Sequence, residues 1–585
     1  MSYFTSPEFL RVLVLGLVTS AHMTWRRLVN QLVPVPYLDE FFHVPQVQAY
    51  WLGKWTQWDP KITTPPGLYI YSYIVNSIRD FFSKEDFKPS VNEWRSTNVL
   101  LLYLLLVACY ILTTVQRRPV NHEGVLQREF AIILFPLIFF FSALYYTDLF
   151  SVFTVVLTHI FWTAGNSATT GSSKFIFQIL HVVTGLISLA TRQTNIFWVA
   201  VYLGGLQVVE SVKRRRQSHQ ADHNDTTIQI HDPSVPEAYF GDYVKTSISL
   251  VQASLTMLPQ LLLDLWPHLC LLVAFGAFVA WNGGVVLGDK DNHVATIHLA
   301  QMLYIWPLIV FFSWPVLLPQ FATFSKQHRL PRLSTSLAVL ALMLITVHFN
   351  TVIHPFTLAD NRHYTFYVFR ILRRHWSLKY AAVPVYFVCA CLVLGALGGG
   401  GYAGSPRTKT TTESNRLGVE KKPGQERSTK KVLYEANVDE DDTVRVSWVL
   451  IWLVATSMSL VTAPLVEPRY FIVPWLTWRL AVPEYRHPSA AAVVSAAEEK
   501  RKPSSPSSQS RTDSSVREAE AASTRSSSST TPVPGVQALL RTAASYSFPL
   551  ELLWYLLVNL VTCYVFLYKG FEWPQEPGNV QRFMW

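Results

Sequence analysis

The chain has 585 residues, of which 50% are hydrophobic and only 15% are charged, and its formal net charge is +10. A soluble protein of this length needs more charge than this to cover its surface. The composition therefore excludes an ordinary soluble globular protein and predicts a polytopic membrane protein. The basic residues concentrate in the loops between apolar runs, so the positive charge indicates membrane topology, and no nucleic-acid-binding module is recognisable.

Apolar runs long enough to cross roughly 30 Å of hydrocarbon as helices recur along most of the chain. The first run, from Phe9 to about Trp25, predicts a retained signal-anchor span, because no clear small-residue cleavage pattern follows it. Further spans are predicted near residues 97–115, 130–147, 148–165, 175–191, 195–211, 258–281, 299–320, 335–353, 379–397, 447–465 and 548–568. Residues 470–482 form another span or a re-entrant segment. We expect an all-α bundle of about 12 to 14 transmembrane helices.

Three polar segments divide this series of spans, at residues 212–245, 400–446 and 483–546. They are rich in small, polar and charged residues, so they cannot bury enough apolar surface to offset their chain entropy. The sequence therefore predicts disordered linkers there. The membrane modules between these linkers are expected at residues 1–211, 246–399, 447–482 and 547–585.

The basic loops predict the orientation of the bundle. The positive-inside rule makes one side cytosolic, and that side receives the loops 116–118, 213–216, 326–332 and 400–446. The sequon at Asn224 also falls on this side and is expected to carry no glycan. The opposite side receives the polar loops 28–96, 145–148, 191–195, 282–298, 354–376 and 467–471. We therefore expect the functional site on that opposite side.

One segment on the non-cytosolic side does not follow this rule. The run "RILRRHW" at residues 370–376 is basic although it falls opposite the cytosolic loops. Arginines in such a place are favoured when an anion lies nearby, such as a phosphate or a lipid headgroup. The sequence therefore predicts an anionic partner for this segment.

The first loop contains a polar segment with helical periodicity. Asp39, His43, Gln46 and Tyr50 recur at i, i+4, i+7 and i+11, which places them on one face of a short helix along the membrane surface. The adjacent acids allow two interpretations. They perform acid–base chemistry, or Asp39 caps the helix while Glu40 complements its dipole.

The same loop continues with "QWDPKITTPPGLY", in which prolines follow Asp59 and Thr64. Lys61, Thr63 and Thr64 are predicted to precede the N-terminus of a helix that runs through "LYIYSYIVNSI", a position that suits an anion. Trp58 and its neighbouring tryptophans either stack on sugar faces or anchor the loop at the membrane interface. Both interpretations remain open at this point.

Other polar residues on the same predicted side also have two interpretations. Asp289 and Asp291 either bind a divalent cation beside a phosphate or belong to a solvated turn. Arg192, Arg362 and Arg469 lie at span ends, where they either snorkel to the interface or mark a substrate path. Four histidines on this side are either structural or donate hydrogen bonds to a phosphate or a sugar: His293, His298, His354 and His363.

Several strings, in this order, resemble one family of eukaryotic membrane enzymes: "LDEFFHVPQVQAYW", "QWDPKITTPPGLY", "YYTD", "RQTNIFWV", "GDKDNH…IHLAQMLY", "HPFTLADNRHYTFYVFR", "EPRYFIVPWLTWRL" and "QRFMW". The family is that of the dolichyl-phosphate-glucose-dependent alpha-1,2-glucosyltransferases, which add the last glucose to the lipid-linked oligosaccharide. The resemblance implies a GT-C fold, residence in the endoplasmic reticulum membrane, and a lumenal first loop of short amphipathic helices with an acidic pair. Asp291 is not part of the pattern, so no metal cofactor is expected, with a cation at Asp289 as the lesser alternative.

The reaction implied by this resemblance limits which groups are needed. The donor is a beta-linked glucosyl phosphate and the product linkage is alpha, so the anomeric carbon inverts in one displacement. One general base must take the proton from the acceptor hydroxyl. The leaving lipid phosphate is a stable anion, which needs positive charge and hydrogen bonds instead of a general acid. Asp39 is the candidate base, with Glu40 as the alternative.

The remaining candidates receive roles as hypotheses. Arg362, His363 and Arg469 are expected to bind the donor phosphate, with Lys61 and Arg192 as lesser candidates. Residues expected to orient the sugars or the acceptor are His43, Gln46, Trp58, Asp59, Thr63, Thr64, Asp148, His293, Asp360, Tyr364 and Glu467. The expected partners are dolichyl-phosphate-glucose, the dolichyl-diphosphate-linked oligosaccharide and membrane lipids.

Three competing functions remain open from the residues alone. A related transferase that uses dolichyl-phosphate-mannose differs only in the hexose, which physical reasoning from the sequence does not distinguish. A transporter would need ionisable residues near the middle of its spans, whereas the ones singled out gather at span ends and in loops. A non-catalytic scaffold would have no need of Asp39 and the basic cluster.

Overall fold

The described part of the chain is built almost entirely from helices. A computed structural model describes residues 7–83, 87–116, 125–221, 230–290, 296–324, 331–398, 443–463, 465–483, 543 and 546–585. Within these residues the only two-stranded sheet is an antiparallel hairpin that pairs β1 (Phe571–Glu572) with β2 (Val580–Gln581). The expected all-α fold is thereby confirmed.

The N-terminal half of the helical bundle contains α1 (Pro7–Leu32), α2 (Glu40–Trp51), α3 (Gly67–Phe82), α4 (Val91–Gln116), α5 (Val125–Leu134), α6 (Pro136–Phe141), α7 (Asp148–Ser167), α8 (Gly171–Leu189) and α9 (Leu203–Ala221). A 3-10 turn at Gln193–Asn195 and a π-helix at Phe197–Tyr202 precede α9. The two short helices α2 and α3 occupy the first loop, as the sequence predicts.

The C-terminal half contains α10 (Phe240–Thr256), α11 (Leu258–Asp264), α12 (Trp266–Asn282), α13 (Gln301–Phe324), α14 (Leu333–Phe349), α15 (Pro355–Ala359), α16 (Tyr364–Arg373), α17 (Leu378–Ala396), α18 (Val446–Val461), α19 (Ile472–Ala481) and α20 (Ser547–Tyr568). Further 3-10 turns lie at Val235–Glu237 and Pro468–Phe471.

In the part of the chain that the structure describes, fewer helices meet a length and hydropathy criterion for a membrane span than the sequence has apolar runs. Among the described residues, seven helices are long and apolar enough to cross a membrane, or eight if α10 and α11, bent by 92°, form one span. The apolar helices α12, α14 and α18 are shorter. One predicted span, 130–147, is divided because α5 ends at Leu134 and α6 restarts with a proline at its first position. The multi-pass character of the protein is confirmed.

The predicted linker at 212–245 is structured over much of its length. Helix α9 continues to Ala221, and Lys213 forms an ion pair of 2.6 Å with Asp232. Asp232 also accepts hydrogen bonds from the amide and hydroxyl of Ser447. These contacts join the segment to α18, which compensates for its polar composition. The predicted linkers at 400–446 and 483–546 lie almost entirely outside the described residues.

Aromatic packing in the bundle positions the segment before α19. The ring of Trp475 stacks on Phe135, which joins α5 to α6, with 3.6 Å between ring centroids. Its indole nitrogen donates to the hydroxyl of Ser313, at the kink of α13. A buried indole N–H needs such a partner, so these contacts hold α19 against the junction of α5 and α6 and against the kink of α13. The 3-10 turn that contains Arg469 is directly attached to α19.

The first loop approaches α8 so closely that its contact point must be a glycine. The amide of Gly67 donates to the carbonyl oxygen of Ala190 at 2.7 Å, and a Cβ atom at Gly67 would lie 2.4 Å from that oxygen. This contact joins the start of α3 to the end of α8. The amide of Gly67 at the N-terminus of α3 is therefore already hydrogen-bonded, although the sequence predicted that this N-terminus suits an anion.

We expect Gly67→Ala to lower the free energy of unfolding of the detergent-solubilised protein by about 1–3 kcal/mol, because the backbone of α3 must move away from α8. A matched control is Gly16→Ala in α1, where nothing lies within 4 Å of the added Cβ. Thermal unfolding of both variants measures the difference. Equal melting temperatures for the two variants would contradict the close contact.

Candidate active site

A large cavity lies at the end of the bundle where the non-cytosolic loops were predicted to meet. Its volume is about 1550 Å³. Residues from the loops at 32–45, 61–64, 147–152, 192–198, 285–286, 356–363 and 459–473 line it, together with residues from 576–582. Five carboxylates and five basic side chains face it: Asp39, Asp148, Asp360, Glu467, Glu576, Lys61, Arg192, Arg362, Arg469 and Arg582.

The two adjacent acids of the first loop point in different directions. Asp39 lines the cavity and its side chain is 39% exposed, whereas Glu40 is fully buried. Glu40 pairs with Arg95 through two short contacts, of 2.8 and 2.5 Å, and accepts hydrogen bonds from the amides of Tyr37 and Tyr145. A carboxylate enclosed in this way is structural. Glu40 therefore has no access to a ligand in the cavity.

The alternative interpretation of Asp39 as a helix cap is wrong. Asp39 occupies the N-cap position of α2 but makes no side-chain cap hydrogen bond. Its carboxylate instead receives a hydrogen bond of 2.7 Å from Nη1 of Arg469, which comes from the distant 3-10 turn. The side chain is therefore directed toward the cavity and its charged partner there, rather than toward its own helix.

Arg469 lies at the centre of a cluster of three carboxylates. Its Nη1 atom contacts Asp39 and lies 3.9 Å from Oδ2 of Asp148, and its Nε atom donates to Glu467. The guanidinium also lies over the ring of Tyr146, 5.7 Å from the ring centroid. Arginine suits this position because its planar head presents several donors in fixed directions.

The pKa values around Arg469 follow from this pairing. Burial alone would raise the pKa of Asp39, but attraction to Arg469 outweighs burial and lowers the pKa to about 2. Burial likewise opposes ionisation of Glu467, and Arg469 again lowers its pKa. The two acids raise the pKa of Arg469 well above its usual value, although burial acts in the other direction. At neutral pH all three groups are charged.

A second ion pair extends the cluster toward α7. Nη1 of Arg192 lies 3.1 Å from Oδ1 of Asp148, the first residue of that helix. The Arg192 guanidinium also lies over the ring of Tyr470, 5.7 Å from its centroid. The two arginines thus share Asp148, and both face the cavity.

A second arginine site is built around Arg362. Its Nε and Nη2 atoms donate to the two carboxylate oxygens of Asp360, at 2.9 and 2.8 Å. Nη1 donates to Gln581, and the guanidinium lies over the ring of Trp573, 4.5 Å from the centroid. Burial favours the neutral form of Asp360, but the hydrogen bond from Arg362 outweighs it and lowers the pKa of this carboxyl.

His43 contributes a neutral imidazole to the cavity wall. Burial lowers the pKa of His43, and the charge of Asp39 offsets this only in part. Its Nδ1 atom lies 2.6 Å from the hydroxyl of Tyr69 on α3. A neutral ring next to Asp39 is suited to hydrogen bonding with a sugar hydroxyl.

The C-terminal segment forms part of the site, which sequence reasoning missed. The hydroxyl of Tyr37 donates to the carbonyl of Arg582 and accepts from its amide, at 2.8 and 2.7 Å. His363 donates to the carbonyl of Trp585, and the amide of Met584 donates to Arg362. The only sequence signal was the string "QRFMW", which carries the family resemblance but was given no role.

Most of the predicted site residues face the cavity. Those that line it are Asp39, His43, Lys61, Thr63, Thr64, Asp148, Arg192, Asp360, Arg362, His363, Glu467 and Arg469. Those placed outside its lining are Glu40, Gln46, Trp58, Asp59 and Tyr364. His293 lies outside the described residues.

The residues outside the lining have identifiable structural contacts. The side chain of Gln46 joins the carbonyl of Gln57 to the amide of Asp59, and so shapes the first loop from within. Trp58 packs edge-on against Tyr69, with ring centroids 6.0 Å apart. The amide of Tyr364 donates to the carbonyl of Met584. These residues therefore stabilise the segments that form the cavity wall, and they do not face the cavity themselves.

No metal centre is formed by the described residues, which contain no group of three or more His, Cys, Asp or Glu side chains placed to hold an ion. Asp289 is described, whereas Asp291 is not. Asp289 adopts a positive φ of 46°, which is typical of a tight turn. The turn packs against the first loop, where the amide of Leu287 donates to the carbonyl of Thr63.

The helical bundle and the charged cavity define a polytopic membrane protein with a ligand-sized site at one end of its spans. The sequence profile of the DIE2/ALG10 family matches residues 33–480. The match covers most of the chain, which therefore belongs to the DIE2/ALG10 family. The resemblance carried by the sequence strings is confirmed.

Relatives of known name align over nearly their whole length. A protein of Aspergillus fumigatus is 42% identical over 96% of this chain and 96% of its own length. One of Yarrowia lipolytica is 30% identical over 95% and 94%, and one of Mus musculus is 29% identical over 94% and 93%. All three are named Dol-P-Glc:Glc(2)Man(9)GlcNAc(2)-PP-Dol alpha-1,2-glucosyltransferase. No solved structure matches the chain significantly.

We expect Glu40→Gln to lower the free energy of unfolding by about 3–5 kcal/mol, because it leaves the Arg95 guanidinium buried without a carboxylate. Asp39→Asn is the matched control and should cost much less, since Arg469 keeps Glu467 as a partner. Thermal or denaturant unfolding in detergent measures both. Equal losses of stability in the two variants would show that the acids do not have the different roles described above.

Proposed function

We propose that the protein transfers glucose from dolichyl-phosphate-glucose to the 2-hydroxyl of the terminal glucose of dolichyl-diphosphate-linked Glc2Man9GlcNAc2. The observation that carries this proposal is the near full-length similarity to proteins named for this reaction. The charged cavity supports it, because it offers an ionised carboxylate and several arginines in one enclosure. The endoplasmic reticulum membrane is the corresponding location, with the cavity facing the lumen.

Asp39 is the general base in this proposal. The acceptor 2-hydroxyl gives its proton to the Asp39 carboxylate as its oxygen attacks the anomeric carbon of the donor glucose. The bond between that carbon and the phosphate oxygen breaks, and its electron pair leaves with dolichyl phosphate. Attack from the face opposite the phosphate inverts the configuration. The structural role of Glu40 favours Asp39 over its neighbour.

Arg469 connects donor binding to the strength of this base. Without substrate, Arg469 holds Asp39 as a carboxylate with a pKa of about 2, which is a weak proton acceptor. A donor phosphate that binds the same guanidinium competes with Asp39 for it. Weakening this ion pair raises the pKa of Asp39, so the base becomes stronger once the donor is in place.

Positive charge and hydrogen-bond donors for the leaving phosphate are available from several directions. Arg192, Arg362, His363 and Lys61 line the same cavity as Arg469. Charge-assisted hydrogen bonds from such groups stabilise the negative charge that develops on the phosphate. We therefore propose that transfer needs no metal ion.

The apolar part of the cavity suits the lipid portion of a substrate. Apolar lining residues come from α7, the π-helix before α9, α12 and α19: Val152, Phe197, Trp198, Phe275 and Val473. An isoprenoid chain that enters the cavity from the membrane would pack against these side chains with little exposure to water. The charged groups then meet the phosphate at the end of this chain.

The competing functions receive less support. The relatives are named for glucose transfer, which disfavours the mannose-specific enzyme. The cavity gathers its charged side chains at one end of the bundle, as expected for lipid-linked substrates whose polar parts lie outside the bilayer. A scaffold would not need a carboxylate such as Asp39 facing a cavity.

We expect Asp39→Asn to reduce glucose transfer by at least about 100-fold, because an amide cannot accept the proton. The assay measures transfer from dolichyl-phosphate-glucose to the diglucosylated lipid-linked acceptor in membranes that contain the variant. The matched control is Asp80→Asn, which changes an exposed acid at the end of α3 and should keep the wild-type rate. Transfer by Asp39→Asn at the wild-type rate would disprove the assignment of the base.

We expect Arg469→Gln to make kcat/KM fall more steeply than in the wild type as the pH is lowered from about 7 to 5. The pKa of Asp39 is lowered by Arg469, so in the wild type this carboxylate stays ionised far below pH 5. Without the arginine, burial raises the pKa, and protonation removes the base as the pH falls. Arg469→Lys keeps a positive charge and should preserve the shape of the profile. Superimposable profiles for wild type and Arg469→Gln would contradict this coupling.

A further inference from the structure

A basic strip lies beside the cavity, on the segment that the sequence singled out as an exception. We define the strip as Arg370, Arg373 and Arg374, at the end of α16 and directly after it. His363, the residue before α16, lines the cavity, so the helix leads from the cavity to the strip. All three arginines are exposed. The transferase chemistry proposed above does not use them.

The strip lies next to the start of a membrane span. Helix α17 begins at Leu378, four residues after Arg374, and is one of the helices long and apolar enough to cross a membrane. Trp376, between the strip and this span, is 73% exposed. Exposed tryptophan at a span end is typical of the interface between lipid and water. The strip therefore lies at the level of the lipid headgroups.

One face of α16 is packed against the protein and the other is free. Phe369 is buried, with its ring 5.7 Å from that of Tyr304 on α13. Val368 and Ile371 are 54% and 64% exposed, so the exposed surface of the helix carries apolar as well as basic side chains. Because Phe369 holds the helix in place, this mixed apolar and basic face has a defined direction.

The strip has no acidic counterpart in the described structure. No Asp or Glu occurs in the sequence from Asn361 to Val385. Within the described ranges, none of the three arginines makes an ion pair. Arginine remains charged at any physiological pH, so three exposed guanidinium groups give this surface a lasting positive charge.

We propose that the basic strip binds the phosphate groups of anionic phospholipids in the leaflet at the cavity end of the bundle. Basic side chains next to exposed apolar side chains are typical of a helix that lies in the interface of an anionic membrane. The guanidinium groups contact the headgroup phosphates, and Val368, Ile371 and Trp376 enter the acyl region. The ligand is a lipid of the bilayer, because a phosphate attached to no lipid would leave these apolar side chains in water.

Bound phospholipid would hold α16 at the membrane surface. The same helix begins beside Arg362 and His363 at the cavity wall. The binding site is separate from the transfer reaction, so it does not rest on the function proposed above. It explains why arginines occur on a side where the positive-inside rule disfavours them.

The test compares lipid binding to the full-length protein in detergent. Phosphatidylinositol or phosphatidylcholine is titrated into the protein, and native mass spectrometry gives the Kd for the first bound lipid. Arg370→Gln/Arg373→Gln should raise the Kd for phosphatidylinositol on the order of tenfold and leave that for phosphatidylcholine unchanged. Arg370→Lys/Arg373→Lys keeps both charges and should retain most of the preference.

A matched control removes the same charge elsewhere. Lys54→Gln/Lys88→Gln changes two exposed lysines of the first loop and should keep the wild-type preference for phosphatidylinositol. An unchanged Kd for phosphatidylinositol in the double arginine variant would overturn the proposal, as would an equal loss for both lipids. If that variant binds phosphatidylinositol normally but loses affinity for the lipid-linked oligosaccharide, the strip holds the diphosphate of the substrate instead, and the proposal is also overturned.

Discussion

The buried ion pair between Glu40 and Arg95 is the contact on which the site depends. Both side chains are fully buried, and Arg95 also donates to the carbonyl oxygens of Val33 and Val35. Leaving either charge unpaired in this environment would be costly, so the first loop must bring Glu40 to this position. Adjacent residues at the start of a helix point about 100° apart. With Glu40 held inside, Asp39 is directed into the cavity.

A second arginine then determines what Asp39 can do. Arg469 brings the acid of the first loop together with Glu467 and Asp148, from three distant parts of the chain. Without substrate, the three carboxylates of this cluster contact Arg469, and Asp148 is also paired with Arg192. The cluster would also respond to ligand binding, since any anion that binds Arg469 alters the charge around Asp39. In the proposed reaction, substrate binding and base strength are thus linked by one side chain.

The C-terminal segment closes the same region from the far end of the chain. The Arg582 guanidinium donates to the carbonyl oxygens of Phe566 and Leu567 at the end of α20, and to that of Leu32 at the end of α1. These are carbonyl groups that a helix end leaves without intrahelical partners. One side chain therefore joins the first and last helices of the bundle at the cavity, and its backbone is held by Tyr37.

Several features could be derived from the sequence for local reasons. Composition and apolar run length were sufficient for a polytopic helical membrane protein, since burial in lipid requires them. Alternation of spans grouped the polar loops on one side, and most of the candidate site residues singled out in them do line one cavity. The bounds of the spans were less accurate, because apolar runs do not reveal where a helix breaks, as before Pro136 in α6.

The sequence by itself determined the class of protein, its family and the set of loops that carry the site, because these depend on composition, run length and short strings. Only the tertiary structure decided which acid faces the cavity, and that Gln46 and Trp58 support the wall. Helical periodicity places residues on a face, but it does not state what that face packs against. The choice between Asp39 and Glu40 was made by Arg95 and Arg469, and the role of the C-terminal segment by contacts across the whole chain.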